Sequence, residues 1–150
     1  MPPRLERALE AFETGELDLI VRRGRPEDFE ALRALVSMDA DPDHRQRAIY
    51  ALGKWGKPEV VPDIVAVLPG IEEAGRVTAV EALRRLGTPA AEEAIVELAE
   101  DPSVDVRKYV VRALRRRGDE KAERTLRRIA DRDPEEWIRS MAEQAMRSAE

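Results

Sequence analysis

Ala51-Leu52-Gly53-Lys54-Trp55-Gly56, Ala82-Leu83-Arg84-Arg85-Leu86-Gly87 and Ala113-Leu114-Arg115-Arg116-Arg117-Gly118 are three copies of one phrase. Their closing glycines stand 31 residues apart, and Gly24 lies 32 before the first. Two residues after these glycines come Pro26, Pro58 and Pro89, with Glu120 at the fourth site. A fixed period near 31 with a glycine stop marks a stacked helical-hairpin array, since one hairpin alone cannot bury its apolar face. Each unit reads as helix A, a tight turn, helix B and a longer turn.

Outward from the phrase, Ala48, Ala51 and Leu52 match Ala79, Ala82 and Leu83, then Val110, Ala113 and Leu114. Offsets of three and four put each trio on one face of an A helix. Residues 134–148 fit the same template through Ile138, Ala142, Ala145 and Met146. B helices carry their own stripe: Leu32, Ile64, Ile95 and Leu126; Leu35, Val67, Leu98 and Ile129; Val36, Leu68, Ala99 and Ala130. Thr88 and Asp119 are expected to cap B helices through side-chain oxygens. Asp41-Pro42, Asp101-Pro102 and Asp133-Pro134 read as cap-plus-proline starts of A helices, Asp133 and Glu136 forming a capping box. The junction at Pro69-Gly70 lacks that start. The first 24 residues fit less well: Leu5 to Thr14 predicts a helix ending at Gly15, and Glu16 to Arg23 one closed by Gly24. The expected organisation is a single repeat domain over 1–150, with an atypical N-terminal cap (1–24), repeats (25–133) and a C-terminal capping helix (134–150).

Composition agrees with helical repeats: 38% charged residues, 4% aromatic and 43% hydrophobic. The chain has 26 basic and 31 acidic residues, a net charge of −5, which handicaps general nucleic-acid binding. No cysteine is present, so disulfides, thiolate metal sites and a cysteine nucleophile are excluded. No apolar run approaches a membrane span, and Met1-Pro2-Pro3-Arg4-Leu5-Glu6-Arg7 runs into an acidic helical pattern unlike a signal peptide. A soluble cytoplasmic protein is expected.

The unit, with Asp-Pro, then arginine, then Ala-x-x-Ala-Leu-x-x-x-Gly, resembles the HEAT-like repeats of bacteria and of phycobilin lyases. The likeness covers about residues 25 to 150 and rests on recurrence, with the arginine at Arg45, Arg76, Arg107 and Arg139. It implies an all-α, right-handed α-solenoid with B helices on the concave side and A helices on the convex side. The family includes armadillo-like protein-binding scaffolds, bilin lyase subunits and, more distantly, DNA glycosylases built from similar helical pairs. Fold alone does not choose among these.

The arginine column is the most regular polar feature. Each member follows an acidic turn: Asp39, Asp41 and Asp43 before Arg45, Asp101 and Asp105 before Arg107, Asp131 and Asp133 before Arg139. A planar fork of donors suits a carboxylate or a turn carbonyl, so Arg45, Arg76, Arg107 and Arg139 read as a structural clasp ahead of a phosphate site. A second basic group, Lys54, Arg84, Arg85, Arg115, Arg116 and Arg117, sits where cations complement helix C-termini. Its alternative role is a nucleic-acid or phosphate strip with Trp55 as a stacking platform.

Outer B-helix positions are where a partner is expected to dock. Glu30, Glu93, Glu97, Arg124, Arg127 and Arg128 are the candidate partner-binding residues, acidic in the middle and basic in the last unit. Ordinary surface mixing is the alternative. No catalytic or metal-binding set is expected: His44 is the lone histidine, no serine has a nearby base, and Glu72-Glu73 or Glu92-Glu93 splay about 100° apart on a helix. Of Phe12, Phe29, Tyr50, Trp55, Tyr109 and Trp137 only Phe29 falls on a B helix, against a base-extruding site. The reading is a non-enzymatic protein-interaction scaffold without cofactor, partner unknown, with a bilin-lyase-like or chaperone subunit as alternative. The last helix, with Trp137, Ile138, Met141 and Met146, offers either a homodimer contact or a cap.

Overall fold

Gly24, Gly56, Gly87 and Gly118 all take positive φ, between 64° and 78°. Side chains rarely adopt that conformation, and it turns the chain sharply from an A helix into a B helix. A computed structural model describes residues 1–115 and 117–148. Ten α-helices and no strand occur among the described residues: α1 (Pro3–Glu10), α2 (Gly15–Arg23), α3 (Pro26–Ala34), α4 (Pro42–Trp55), α5 (Val61–Val67), α6 (Glu73–Leu86), α7 (Pro89–Glu97), α8 (Val104–Leu114), α9 (Glu120–Arg132) and α10 (Glu136–Arg147). Short 3-10 turns at Pro58–Val60, Leu68–Gly70 and Leu98–Glu100 flank α5 and follow α7. The fold class is all-α, of the helical-repeat solenoid type.

The chain divides into two compact units, Met1–Ala91 and Glu92–Glu150. In the first, α4 packs most extensively against α6 and also meets α1, α2 and α3. Ala48, Ala51 and Leu52 are buried on α4, and Ala79, Ala82 and Leu83 on α6, the stripe expected from the repeat. In the second, α10 packs on α9 and α8, burying Ile138, Ala142 and Ala145 beside Val110, Ala113, Leu114, Leu126 and Ile129. Leu35 is the one B-helix position of the expected stripe that stays half-buried.

Caps at B helices follow the sequence. Thr88 Oγ1 accepts from the Ala91 N–H at 3.1 Å, and Asp119 Oδ1 from the Ala122 N–H at 2.8 Å. A-helix starts differ. Only Asp41-Pro42 works as expected, Asp41 Oδ1 accepting from the Asp43 and His44 N–H groups. α8 begins at Val104, where Ser103 Oγ accepts from the Val106 N–H, so Asp101 lies outside the cap. α10 begins at Glu136 without a side-chain cap and without the capping box: Asp133 Oδ1 accepts from the Glu135 N–H at 2.9 Å, and the same carboxylate pairs with Arg107.

Two helix ends also move. The first helix stops at Glu10, where Ala11 takes extended angles (φ −64°, ψ 142°), and residues 11–14 form a bend. Gly15 therefore opens α2 instead of closing α1. The bend lets α2 fold back and bury Leu17 and Ile20 with Leu5, Ala8 and Leu9. α8 ends at Leu114, ahead of Gly118.

Candidate functional site

The recurrent arginines turn their guanidinium groups into their own turns. Arg45 Nε donates to the Ser37 carbonyl at 2.8 Å, and Nη2 to the carbonyls of Met38 (3.2 Å) and Ala40 (3.0 Å). Arg76 Nη1 donates to the Ile71 carbonyl at 2.7 Å. Arg107 Nη1 reaches the carbonyls of Asp101 (2.9 Å) and Pro102 (3.1 Å), and Arg139 Nη1 that of Asp133. These turns have no ladder of their own, so the donor fork supplies hydrogen bonds to their carbonyls.

Carboxylate partners for Arg45 and Arg107 come from the next turn of the repeat. The expected acids in the preceding turn do not supply them. Arg45 Nη1 meets both oxygens of Glu72, at 3.0 and 3.3 Å, 27 residues on. Arg107 Nε donates to Asp133 Oδ2 at 2.8 Å and Nη2 to Oδ1 at 3.4 Å, 26 residues on. This last pair is dry, with side chains 8% and 2% exposed. A turn carboxylate nearer in sequence would have to share the arginine's own short loop, whereas one repeat later it faces the fork directly.

Cations at the A-helix ends are engaged locally. Lys54 Nζ donates to Asp18 Oδ1 at 2.9 Å, and Tyr50 OH donates to the same oxygen at 2.8 Å. The hydrogen bond from Lys54, backed by that from Tyr50, holds the Asp18 carboxyl below the usual aspartate range, and Asp18 in turn raises the Lys54 ammonium. Arg84 grips both oxygens of Glu81, at 2.9 and 2.6 Å, and Arg85 meets Glu81 at 3.3 Å. Arg117 pairs with Glu92 and with Asp119. Arg115 donates to Ser148 Oγ at 3.3 Å, and Arg116 lies outside the described residues. Trp55 is half-buried with its ring 5.4 Å from that of Phe29 in an edge-to-face pair, so it is packed more than it is a platform.

The outer B-helix residues lie on the surface as expected: Glu30 on α3, Glu93 and Glu97 on α7, and Arg124, Arg127 and Arg128 on α9 are all exposed. Lys121 Nζ meets Glu93 at 3.0 Å and Arg127 meets Glu123 at 2.9 Å. Arg124 is 68% exposed and only 3.9 Å from Glu120, a contact at the limit of an ion pair. Arg132 was missed by the sequence reading, although it continues the line Arg124, Arg128, Arg132 at one-turn spacing and is exposed. Arg128 and Arg132 flank an open depression of about 400 Å³ shared with Glu100 and Pro134. α9 carries five cations and three carboxylates in a chain whose net charge is −5. His44 is half-buried on the first turn of α4. Among the described residues no group of three or more histidine, cysteine or carboxylate side chains converges as a metal set, and no helix is long and apolar enough to cross a membrane.

A family model of HEAT repeats matches residues 72–147, from the first residue before α6 to the end of α10. The chain belongs to the HEAT-repeat family. HEAT repeats generally mediate protein–protein interaction. The search against curated proteins returns no match.

Proposed function

We propose that this HEAT-repeat chain is a non-enzymatic protein-interaction scaffold whose α9 face holds an acidic segment of a partner. The observation that carries it is the row Arg124, Arg128 and Arg132, exposed at one-turn spacing on a helix with five cations in an acidic protein. Guanidinium groups spaced by a helical turn meet carboxylates bidentately, and a rigid row orients an extended or helical acidic partner. Glu93 and Glu97 on α7 repel the same partner and so help fix its register. In this reading Arg45, Arg76, Arg107 and Arg139 are structural clasps, and 1–150 acts as one repeat domain.

The test uses fluorescence anisotropy with a labelled Glu-rich helical peptide and its Lys-rich counterpart. The acidic peptide binds, and Arg124→Glu with Arg128→Glu weakens it at least about tenfold while the circular-dichroism melt is unchanged. Equal binding by the double variant removes α9 as the site. Tighter binding to a DNA duplex than to the acidic peptide, with log affinity falling steeply against log salt, favours a phosphate-binding role instead.

A further inference from the structure

The bend between α1 and α2 presents an aromatic ring to solvent. Phe12 is 97% exposed, while every other phenylalanine, tyrosine and tryptophan of the chain is at least half covered. Glu10, Glu13 and Glu16, within four residues of it in the chain, are all exposed, so the ring sits on an acidic stretch. A single exposed ring is no site by itself, so its meaning depends on a surface that matches it.

The second compact unit holds the complementary shape. An open cavity of about 370 Å³ is lined by Leu114, Leu126 and Met146 together with Arg115, Arg127 and Arg147 and the carboxylates of Glu123 and Glu143. Arg127 and Arg147 face Glu123 and Glu143 through exposed ion pairs at 2.9 and 3.6 Å. Exposed pairs of that kind contribute little, so both arginines are free to take a stronger carboxylate partner.

We propose that the chain self-associates head to tail, Phe12 of one copy entering this cavity of a second copy, with Glu10, Glu13 and Glu16 meeting Arg115, Arg127 and Arg147. The charges are opposite in sign: three carboxylates approach a cavity whose three guanidinium groups outnumber its two carboxylates, and the ring meets Leu114, Leu126 and Met146. The surfaces are different on the two copies, so the contact is heterologous and growth does not stop at a dimer unless a ring closes. The contact is small, which places it among weak interfaces. It shares helix α9 through Leu126 and Arg127 but uses neither Arg124 nor Arg128, so variants at those two residues separate it from the acidic-partner proposal.

Sedimentation equilibrium tests it. The average mass of the unmodified chain rises above 17.0 kDa with concentration up to about 1 mM, and less so in high salt. Phe12→Ala, at a position with no packing role, weakens association at least about tenfold. Arg127→Glu with Arg147→Glu does the same. Mixed together, the Phe12→Ala chain supplies an intact cavity and the double-arginine variant an intact Phe12. The mixture therefore forms a complex of twice the chain mass and no larger. A constant mass of 17.0 kDa, association of Phe12→Ala equal to the parent, or failure of the two variants to combine overturns the proposal.

Discussion

Arg107 and Asp133 are the most deeply buried ion pair described in the protein, and their value lies in being together. Two charges removed from water are stable only while each satisfies the other, and the loss of one leaves an uncompensated charge. Asp133→Ala is therefore expected to cost about 3–5 kcal/mol. Replacing both partners, Arg107→Met with Asp133→Leu, recovers most of it, apart from the hydrogen bonds that Arg107 makes to the Asp101 and Pro102 carbonyls and that Asp133 accepts from the Glu135 N–H. Chemical denaturation of the two variants checks the order. Asp18 gives a pH effect of known sign. Its carboxyl is depressed in the folded chain, chiefly by the hydrogen bond from Lys54, so its contribution is complete above the ordinary aspartate value and is lost as pH falls through the lower, folded value. Melting temperatures of the parent and Asp18→Asn should begin to approach each other as pH falls below about 4 and meet only below the depressed, folded value, with the parent more stable above it. A constant gap down to strong acid would show that the contact acts through shape alone.

α4 and α6 approach through small residues. A Cβ built on Gly53 would lie 2.7 Å from both Cα and Cβ of Ala82, closer than packed atoms come. Gly53→Ala is expected to destabilise by about 1–3 kcal/mol through overpacking, although alanine is the better helix former, and a thermal melt decides between these opposing effects. In the repeat phrase Gly53 aligns with Arg84 and Arg115, both exposed, so periodicity read it as a variable position. Its meaning comes from the neighbouring helix. The same holds for α9: its buried stripe was legible from spacing, whereas Arg132 joined the basic row only when the helix was seen to run on to that residue.

A repeat chain gains stability from each unit and from nearest neighbours, which is why the periodic phrase carried so much of the fold. Helices, their buried faces and the left-handed glycine turns depend on residues three to five apart, and those distances are written directly in the sequence. Binding by the α9 row depends on exposed charge and should weaken with salt, which separates it from an apolar contact. Arg45 and Arg107 were recognised as clasps from their column, but their carboxylates, Glu72 and Asp133, stand 27 and 26 residues away. Asp133 read as half of a capping box with Glu136, whereas in the fold its Oδ1 accepts from the Glu135 N–H and the carboxylate is shared with Arg107. Phe12 read as one aromatic in a helix that was expected to reach Thr14. The early bend after Glu10 made it a projecting ring. The amino-acid order thus determined the helical period, the glycine stops and the apolar stripes, all products of short-range geometry. Tertiary packing alone decided which acid meets which arginine and which ring stays in water, since those outcomes turn on atoms brought together from a repeat away.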